Sequence, residues 1–150
     1  MTTYTTWLDN TASTAQSGGN YAGTPKRTVL VGVYDAKKRP LASTNVIELI
    51  TIPAGTFVEA VFYRVLTADA GVGIDVGDGT DPNGWIADAD VGTAGNIGMG
   101  LGAYAVATPG SQTATIGKYY SAADTIDLYC VSGDAYDTLK VQISVACTIA

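Results

Sequence analysis

The sequence contains no histidine, and this absence excludes several kinds of active site. Ser-His-Asp and Cys-His catalysis need an imidazole, as do zinc sites with histidine ligands. Paired carboxylates could still support glycoside hydrolysis. However, most acidic residues fall in predicted turns, and the two predicted within strands, Glu48 and Glu59, belong to different strands. No glycine-rich loop precedes a helical pattern that would bind phosphate. We therefore expect no enzymatic activity and no cofactor.

Charge and long apolar runs are also scarce. Charged residues make up 15% of the 150 residues, against the usual ~25%, which suits a surface packed against other subunits. The net charge of −6 argues against nucleic acid as a partner. No run approaches 18 apolar residues, so no membrane span is predicted. The start, MTTYTTWLDN, lacks the features of a signal peptide, and we expect synthesis and use without export.

Only two cysteines occur, Cys130 and Cys147. We predict that they lie on adjacent antiparallel strands joined by a turn near Gly133 and Asp134. In that hairpin they are offset by eight residues of strand, roughly 26 Å. A disulfide needs Cα atoms within about 7 Å. The sequence therefore predicts two free, buried thiols, which fits a reducing compartment.

Alternation of apolar and polar residues is the main structural signal. The strongest example is 138–149, where Leu139, Val141, Ile143, Val145 and Cys147 share one face. The predicted strands are 27–34, 45–52, 56–66, 72–76, 85–87, 101–107, 112–118, 125–131 and 138–149. The glycine-rich segment 84–102 is expected to be a loop apart from its first strand. Because no amphipathic helix of ten residues is found, the pattern predicts an all-β, jelly-roll-like antiparallel sandwich of about eight strands.

The chain divides into two predicted regions. Residues 1–24 are rich in Thr, Ser, Ala, Gly and Asn and have no period, which indicates an extended N-terminal arm. Residues 25–150 form one β-sandwich domain by size. We expect Trp7 and Tyr21 of the arm to contact a partner or neighbouring subunit, together with the basic loop Lys37, Lys38 and Arg39.

The central stretch 56–85 organises the domain. Both alternating sets of the strand 56–66 are largely apolar, so both faces are expected to be covered, either within a sandwich or at a subunit contact. A hairpin with an acidic turn, residues 77–84, follows from the second part of this stretch. Its residues Asp75, Asp78, Asp81 and Asn83 are weak candidates for calcium. Their spacing departs from an EF-hand loop, and turn formation through their own backbone explains the same residues.

Two segments, 52–85 and 117–131, carry motifs of a known group: IPAGT, IDVGDGTDPNGW and YYSAADTIDL. They resemble small virion structural proteins of tailed bacteriophages, of the capsid decoration (cement) type. The resemblance covers about the last 100 residues. It implies a homo-oligomer, most commonly a trimer, that binds the major capsid protein on the outside of the head. It also implies synthesis in the host cytoplasm and assembly into the virion.

Two other functions fit the same pattern. One is a tail or head-fibre component of the virion. The other is a carbohydrate-binding β-sandwich in which Trp85, Tyr104, Tyr119 or Tyr120 stacks on a sugar. We expect these aromatic residues to serve core or interface packing rather than sugar binding.

Overall fold

The computed structural model describes residues 26–43, 45–70, 73–101, 117–131 and 136–150. Trp7, Tyr21 and Tyr104 lie outside these ranges. The described residues form strands, turns and bends, and they include no helix long and apolar enough to cross a membrane. The all-β antiparallel prediction is therefore confirmed.

In the described part of the chain, nine strands form two sheets. They are β1 (Lys26–Asp35), β2 (Val46–Ile52), β3 (Thr56–Thr67), β4 (Ile74–Gly77), β5 (Ile86–Ala89), β6 (Ile97–Gly100), β7 (Lys118–Tyr120), β8 (Asp124–Cys130) and β9 (Lys140–Ile149). One sheet has five strands in the order β1-β9-β3-β6, and β7 pairs with β3 beyond the end of β6. The other has four strands in the order β2-β8-β4-β5. All pairs are antiparallel.

The core lies between the sheets and follows the period-2 pattern. In β9, Val141, Ile143, Val145 and Cys147 are fully buried and face the other sheet, as their alternation predicts. Ile126 and Leu128 of β8 meet them from the four-stranded sheet. These strands alternate because each sheet has one face in the core and one face outside.

Two local predictions are wrong. β8 and β9 do not form a hairpin: β8 pairs with β2 and β4, whereas β9 pairs with β1 and β3 in the other sheet. Both cysteines are free, as predicted, but only Cys147 is buried, and Cys130 is half-buried. β8 ends at Cys130 in the four-stranded sheet and β9 begins at Lys140 in the five-stranded sheet, a change of sheet that alternation does not encode.

The second wrong prediction concerns glycine. Residues 97–100, expected to be loop, form β6 against β3. Its glycines face inward where no side chain fits: a Cβ on Gly98 would lie 2.3 Å from the ring of Tyr63, and one on Gly100 would overlap the backbone of Trp85. Glycine here allows a close approach between backbone and neighbours rather than a flexible loop. The acidic turn 77–84 is, as predicted, the tip of a hairpin, formed by β4 and β5.

Candidate interaction surfaces

The outer face of the five-stranded sheet, called the apolar face below, is the most unusual surface of the described part. Its residues form rows across the strands. One central row holds Val29, Ala146 and Ala60, and the next holds Val31, Ser144, Phe62 and Met99. Flanking rows add Phe57 with Tyr119, and Ile97 with Arg64. No charged side chain occupies either of the two central rows. Apolar side chains on an outer face normally indicate a surface that is covered by a partner.

A β-bulge at Glu59 creates this face. Simple alternation puts Phe57 and Phe62 on opposite sides of β3, since they are five residues apart. The register with β9 shifts between Val58 and Ala60, so one extra residue enters β3. Val58 and Val61 then both face the core and are fully buried, while Phe57 and Phe62 both face outward. The extra residue, Glu59, pairs with Arg27 of β1 at 2.6 Å between Oε2 and NH2.

The outer face of the four-stranded sheet, called the acidic face below, has the opposite character. Glu48, Asp127 and Gly77 lie side by side on β2, β8 and β4, and Asp75 is next to Tyr129. The turn 77–84 folds over this face, because a Cβ on Gly77 would lie 2.1 Å from the carbonyl oxygen of Asp81. Acidic side chains and backbone of the turn thus cover this sheet from within the chain.

Asp127 is the buried acid of the acidic face, at 2% exposure. The pKa of its carboxyl is raised to about 6, chiefly by burial, and the nearby carboxylates Glu48 and Asp124 act in the same direction. Hydrogen bonds from Thr125 and Tyr129 oppose this shift, the latter at 3.1 Å from the hydroxyl to Oδ2. Ionisation of Asp127 is therefore less favourable in the folded chain than in water.

Asp78 lies at the start of the turn and is fully buried. Its Oδ2 accepts from Lys118 Nζ at 2.6 Å and from the Tyr120 hydroxyl at 2.7 Å. Its Oδ1 accepts from the backbone amides of Thr80 and Asp81 at 2.9 and 3.1 Å. Since β7 belongs to the five-stranded sheet, this ion pair joins the turn of one sheet to a strand of the other. Burial and the adjacent Asp78 carboxylate raise the pKa of Tyr120, which stays protonated as a donor.

The carboxylates of the calcium candidates each bind a different partner within the protein. Asp75 Oδ1 accepts from the amide of Asp88 at 2.8 Å, and Asp81 Oδ1 accepts from the amide of Asn83 at 3.3 Å. Asp78 is bound to Lys118 and Tyr120. Among the described residues, no three acidic or cysteine side chains group as metal ligands do. The Asp81 contact is a local turn hydrogen bond, whereas Asp75 bonds across to β5 and Asp78 bonds to β7, so the three carboxylates serve different parts of the fold.

The basic loop after β1 is ordered by its own backbone. The carbonyl of Asp35 accepts from the amides of Lys38 and Arg39 at 3.1 and 3.3 Å, and its Oδ1 accepts from the amide of Lys37. Lys37 and Lys38 are exposed, and Arg39 is half-buried. Lys38, Arg39 and Lys140 border a pocket of about 200 Å³ at the open edge between β1 and β2. The loop presents positive charge beside that edge.

The aromatic candidates for sugar binding differ in their exposure to solvent. Trp85 and Tyr120 are buried, and the Trp85 Nε1 donates to the Tyr120 hydroxyl at 3.1 Å, so neither offers a ring face to a sugar. Tyr119 is 61% exposed and belongs to the apolar face. The other members of that face, chiefly Phe62, Met99 and Ile97, were not candidates from sequence. For Phe62 the signal was the apolar character of both sets of residues in 56–66, whereas Ile97 and Met99 lie in the segment predicted to be loop.

Solved structures with the same arrangement of strands come from phage capsids. The chain aligns with a chain from the capsid of Ralstonia phage GP4 with a TM-score of 0.62, 15% identity and coverage of 99% of each chain. It aligns with a chain from the capsid asymmetric unit of cyanophage Pam1 with a TM-score of 0.60, 15% identity and coverage of 91% of this chain and 96% of that one. No protein-family model and no curated protein sequence matches. These similarities show a shared fold.

Proposed function

We propose that this chain is a structural protein of a tailed-phage virion. We further propose that it is a decoration (cement) protein, which binds the outside of the head and stabilises contacts between major capsid subunits. The observation that carries the proposal is the end-to-end match with a chain from the GP4 capsid, 99% of each chain. Two chains of nearly equal length share the whole arrangement of strands, so the similarity is not limited to a common small motif.

The surfaces of the sandwich support a role in assembly. A cement protein needs contact area rather than catalytic groups, and a specific interface buries about 1,200–2,000 Å² in total. The apolar face supplies two central rows without charged side chains, and the exposed Lys37 and Lys38 supply charge at another edge. On a regular capsid lattice, several weak contacts made together give strong attachment.

The proposed partners are the major capsid protein and other copies of this chain, in a homotrimer. In this proposal Trp7 and Tyr21 of the arm, residues 1–24, and the basic loop Lys37, Lys38 and Arg39 contact the capsid or a neighbour. The acidic face and the net charge of −6 disfavour nucleic acid. The protein is made in the host cytoplasm and resides on the capsid surface of the virion, and it has no enzymatic role.

Gold-labelled antibodies on particles of the phage that carries this gene test the proposal. Label distributed over whole heads is the expected result. Label confined to the neck or tail would contradict a decoration role and favour a fibre component. Heads that lack the protein should also disrupt at lower temperature than heads to which the purified chain has been added back.

The contact residues have a separate test on the same particles. Removal of residues 1–24, or replacement of Lys37, Lys38 and Arg39 by alanine, should reduce occupancy of heads that lack the protein. A chain without residues 1–24 that still reaches full occupancy would show that the arm is not a capsid contact. Replacement of Lys26 by alanine is the matched control for the loop, because it removes an exposed positive charge elsewhere on the sandwich.

A further inference from the structure

The apolar face exposes an unusually large area of apolar side chains for a surface in contact with water. Val29, Phe57, Phe62, Ile97, Met99 and Tyr119 are exposed by between 38% and 74%. If each aromatic residue offers roughly 150–250 Å² and each aliphatic residue an area near the lower end of that range, the exposed part is on the order of 600 Å². The largest apolar patch of a typical monomer is about 300–600 Å² and is often functional. This patch therefore lies at the upper limit for a free surface.

The direction of the side chains in β6 strengthens this conclusion. Gly98 and Gly100 face the interior, whereas Ile97 and Met99 face outward and are 74% and 55% exposed. A strand on a wet outer face normally has the reverse order, with its large apolar residues inside. The pairing of Phe62 with Met99, and of Phe57 with Tyr119, extends this outward apolar layer onto β3 and β7.

The composition of the face fits a protein partner. Interface cores are enriched in aromatic residues, Met and Arg and depleted in Lys, Glu and Asp. Phe62, Met99, Tyr119 and Arg64 match this composition, and Glu59 is paired with Arg27. Because interfaces are about 56–65% apolar, on the order of 600 Å² of apolar area corresponds to about 1,000 Å² per partner. That exceeds the ~800 Å² per partner of a standard stable interface.

We infer that the apolar face is the surface through which copies of this chain bind one another before they reach any other partner. The inference rests on the proposed structural role and names the surface that forms the oligomer. Another copy is present wherever the chain itself is present, so it can cover the patch from synthesis onward. In the five-stranded sheet the acidic side chains Asp35 and Glu59 are paired with Lys140 and Arg27. Glu48, Asp75 and Asp127 lie on the opposite sheet, so the net charge of −6 per chain does not oppose contact through the central rows of this face. In a trimer the three faces would meet around the axis.

Sedimentation velocity of the purified full chain, over a wide range of concentration and without capsids, tests the inference. The wild type is expected to sediment as an oligomer. Phe62→Asp, which puts a charge into a central row, should raise the dissociation constant at least tenfold. Ile97→Asp, at an edge strand where folding tolerates a charge, should raise it as well. Thr51→Asp is the matched control, because it adds the same charge to an exposed position of the four-stranded sheet and should leave association unchanged. Circular dichroism verifies that each variant is folded.

Three outcomes would overturn the inference. A wild-type chain that stays monomeric at about 100 µM would show that another partner covers the face. So would an oligomer that both folded face variants preserve. An oligomer lost on removal of residues 1–24 but unchanged in both variants would assign the contact to the arm. Binding to heads is measured separately: a monomer that decorates heads overturns only this inference, whereas an oligomer that never binds heads overturns only the proposed function.

Discussion

The two outer faces of this sandwich differ in how their side chains are covered. The four-stranded sheet covers its outer face with its own turn 77–84 and surrounds it with Glu48, Asp75 and Asp127. The five-stranded sheet directs Phe57, Phe62 and Met99 outward and leaves them exposed. The first face is satisfied by hydrogen bonds within the chain and by water. The second is not covered by any other part of the described residues. This contrast is the reason that the proposed self-association is assigned to the five-stranded sheet.

The largest expected effect comes from the ion pair that joins the two sheets. Asp78→Ala removes the partner of Lys118 and an acceptor of Tyr120, and should lower the free energy of unfolding by about 3–5 kcal/mol. Denaturant unfolding measures it. Asp81→Ala, in the same turn, loses one 3.3 Å hydrogen bond to a backbone amide and should cost about 1 kcal/mol or less. Equal losses in both variants would show that Asp78 does not hold the sheets together.

The next effect concerns the acidic face and its dependence on pH. The pKa of Asp127 is raised to about 6 in the folded chain, above its ordinary value of 3.8. The contribution of this carboxyl to the free energy of unfolding is therefore fully present at pH below about 4. It is lost as the pH rises through about 6, because ionisation is less favourable in the folded chain. Asp127→Asn lacks this loss, so its stability relative to wild type should increase by about 1–3 kcal/mol between pH 4 and 8. Stability curves of the two proteins that remain parallel over this range would contradict the assignment.

Asp69 should behave with the opposite sign. Burial alone would raise the pKa of Asp69, but hydrogen bonds from Thr138, Asp137 and Leu139 prevail and lower it. Its Oδ2 accepts from the three backbone amides at 2.9–3.2 Å and fixes the entry into β9. Because the carboxylate is partly exposed, Asp69→Ala should cost about 1–2 kcal/mol at neutral pH. This stabilisation should be lost as the pH falls through the lowered pKa of Asp69. A difference in unfolding free energy between wild type and Asp69→Ala that grows at acidic pH would contradict this prediction.

The smallest effect on stability is expected on the apolar face. Met99→Ser should change the unfolding free energy of the dissociated chain by no more than about 0.5 kcal/mol, because its side chain already meets water. Val61→Ala is the matched control on the neighbouring strand, where the side chain is fully buried, and should cost several times more. Thermal melts at high dilution measure both. A large loss for Met99→Ser in the dissociated chain would mean that the face packs against the chain itself.

The sequence was sufficient for the class of fold and for most of the strands. Alternation correctly predicted which side chains of β9 face the core, because successive residues of a strand point to opposite faces. Those inward side chains are fully buried. It could not assign strands to sheets, because the period of a strand is the same whichever neighbour it pairs with. For this reason Cys130 and Cys147 were assigned to one hairpin but lie on different sheets.

The candidate surface was only partly predictable. The apolar character of both sets in 56–66 predicted a covered outer face, but the bulge at Glu59 decided which residues compose it. A bulge changes the phase of alternation by one residue without a distinctive residue type. β6 was not predicted because a glycine-rich segment is typical of a loop. In the structure its glycines are required because Tyr63 and the backbone of Trp85 lie too close for any side chain. The partner of Asp78, Lys118, is 40 residues away and has no sequence signal.

A cryo-EM map of the phage particle, at a resolution that separates the two sheets, tests the account most directly. It should contain this sandwich on the outer surface of the head, with the outward side chains of β3 and β6 covered by another copy and the acidic face toward solvent. A sandwich found only at the tail, or on the head with Phe62 and Met99 open to water, would contradict the account.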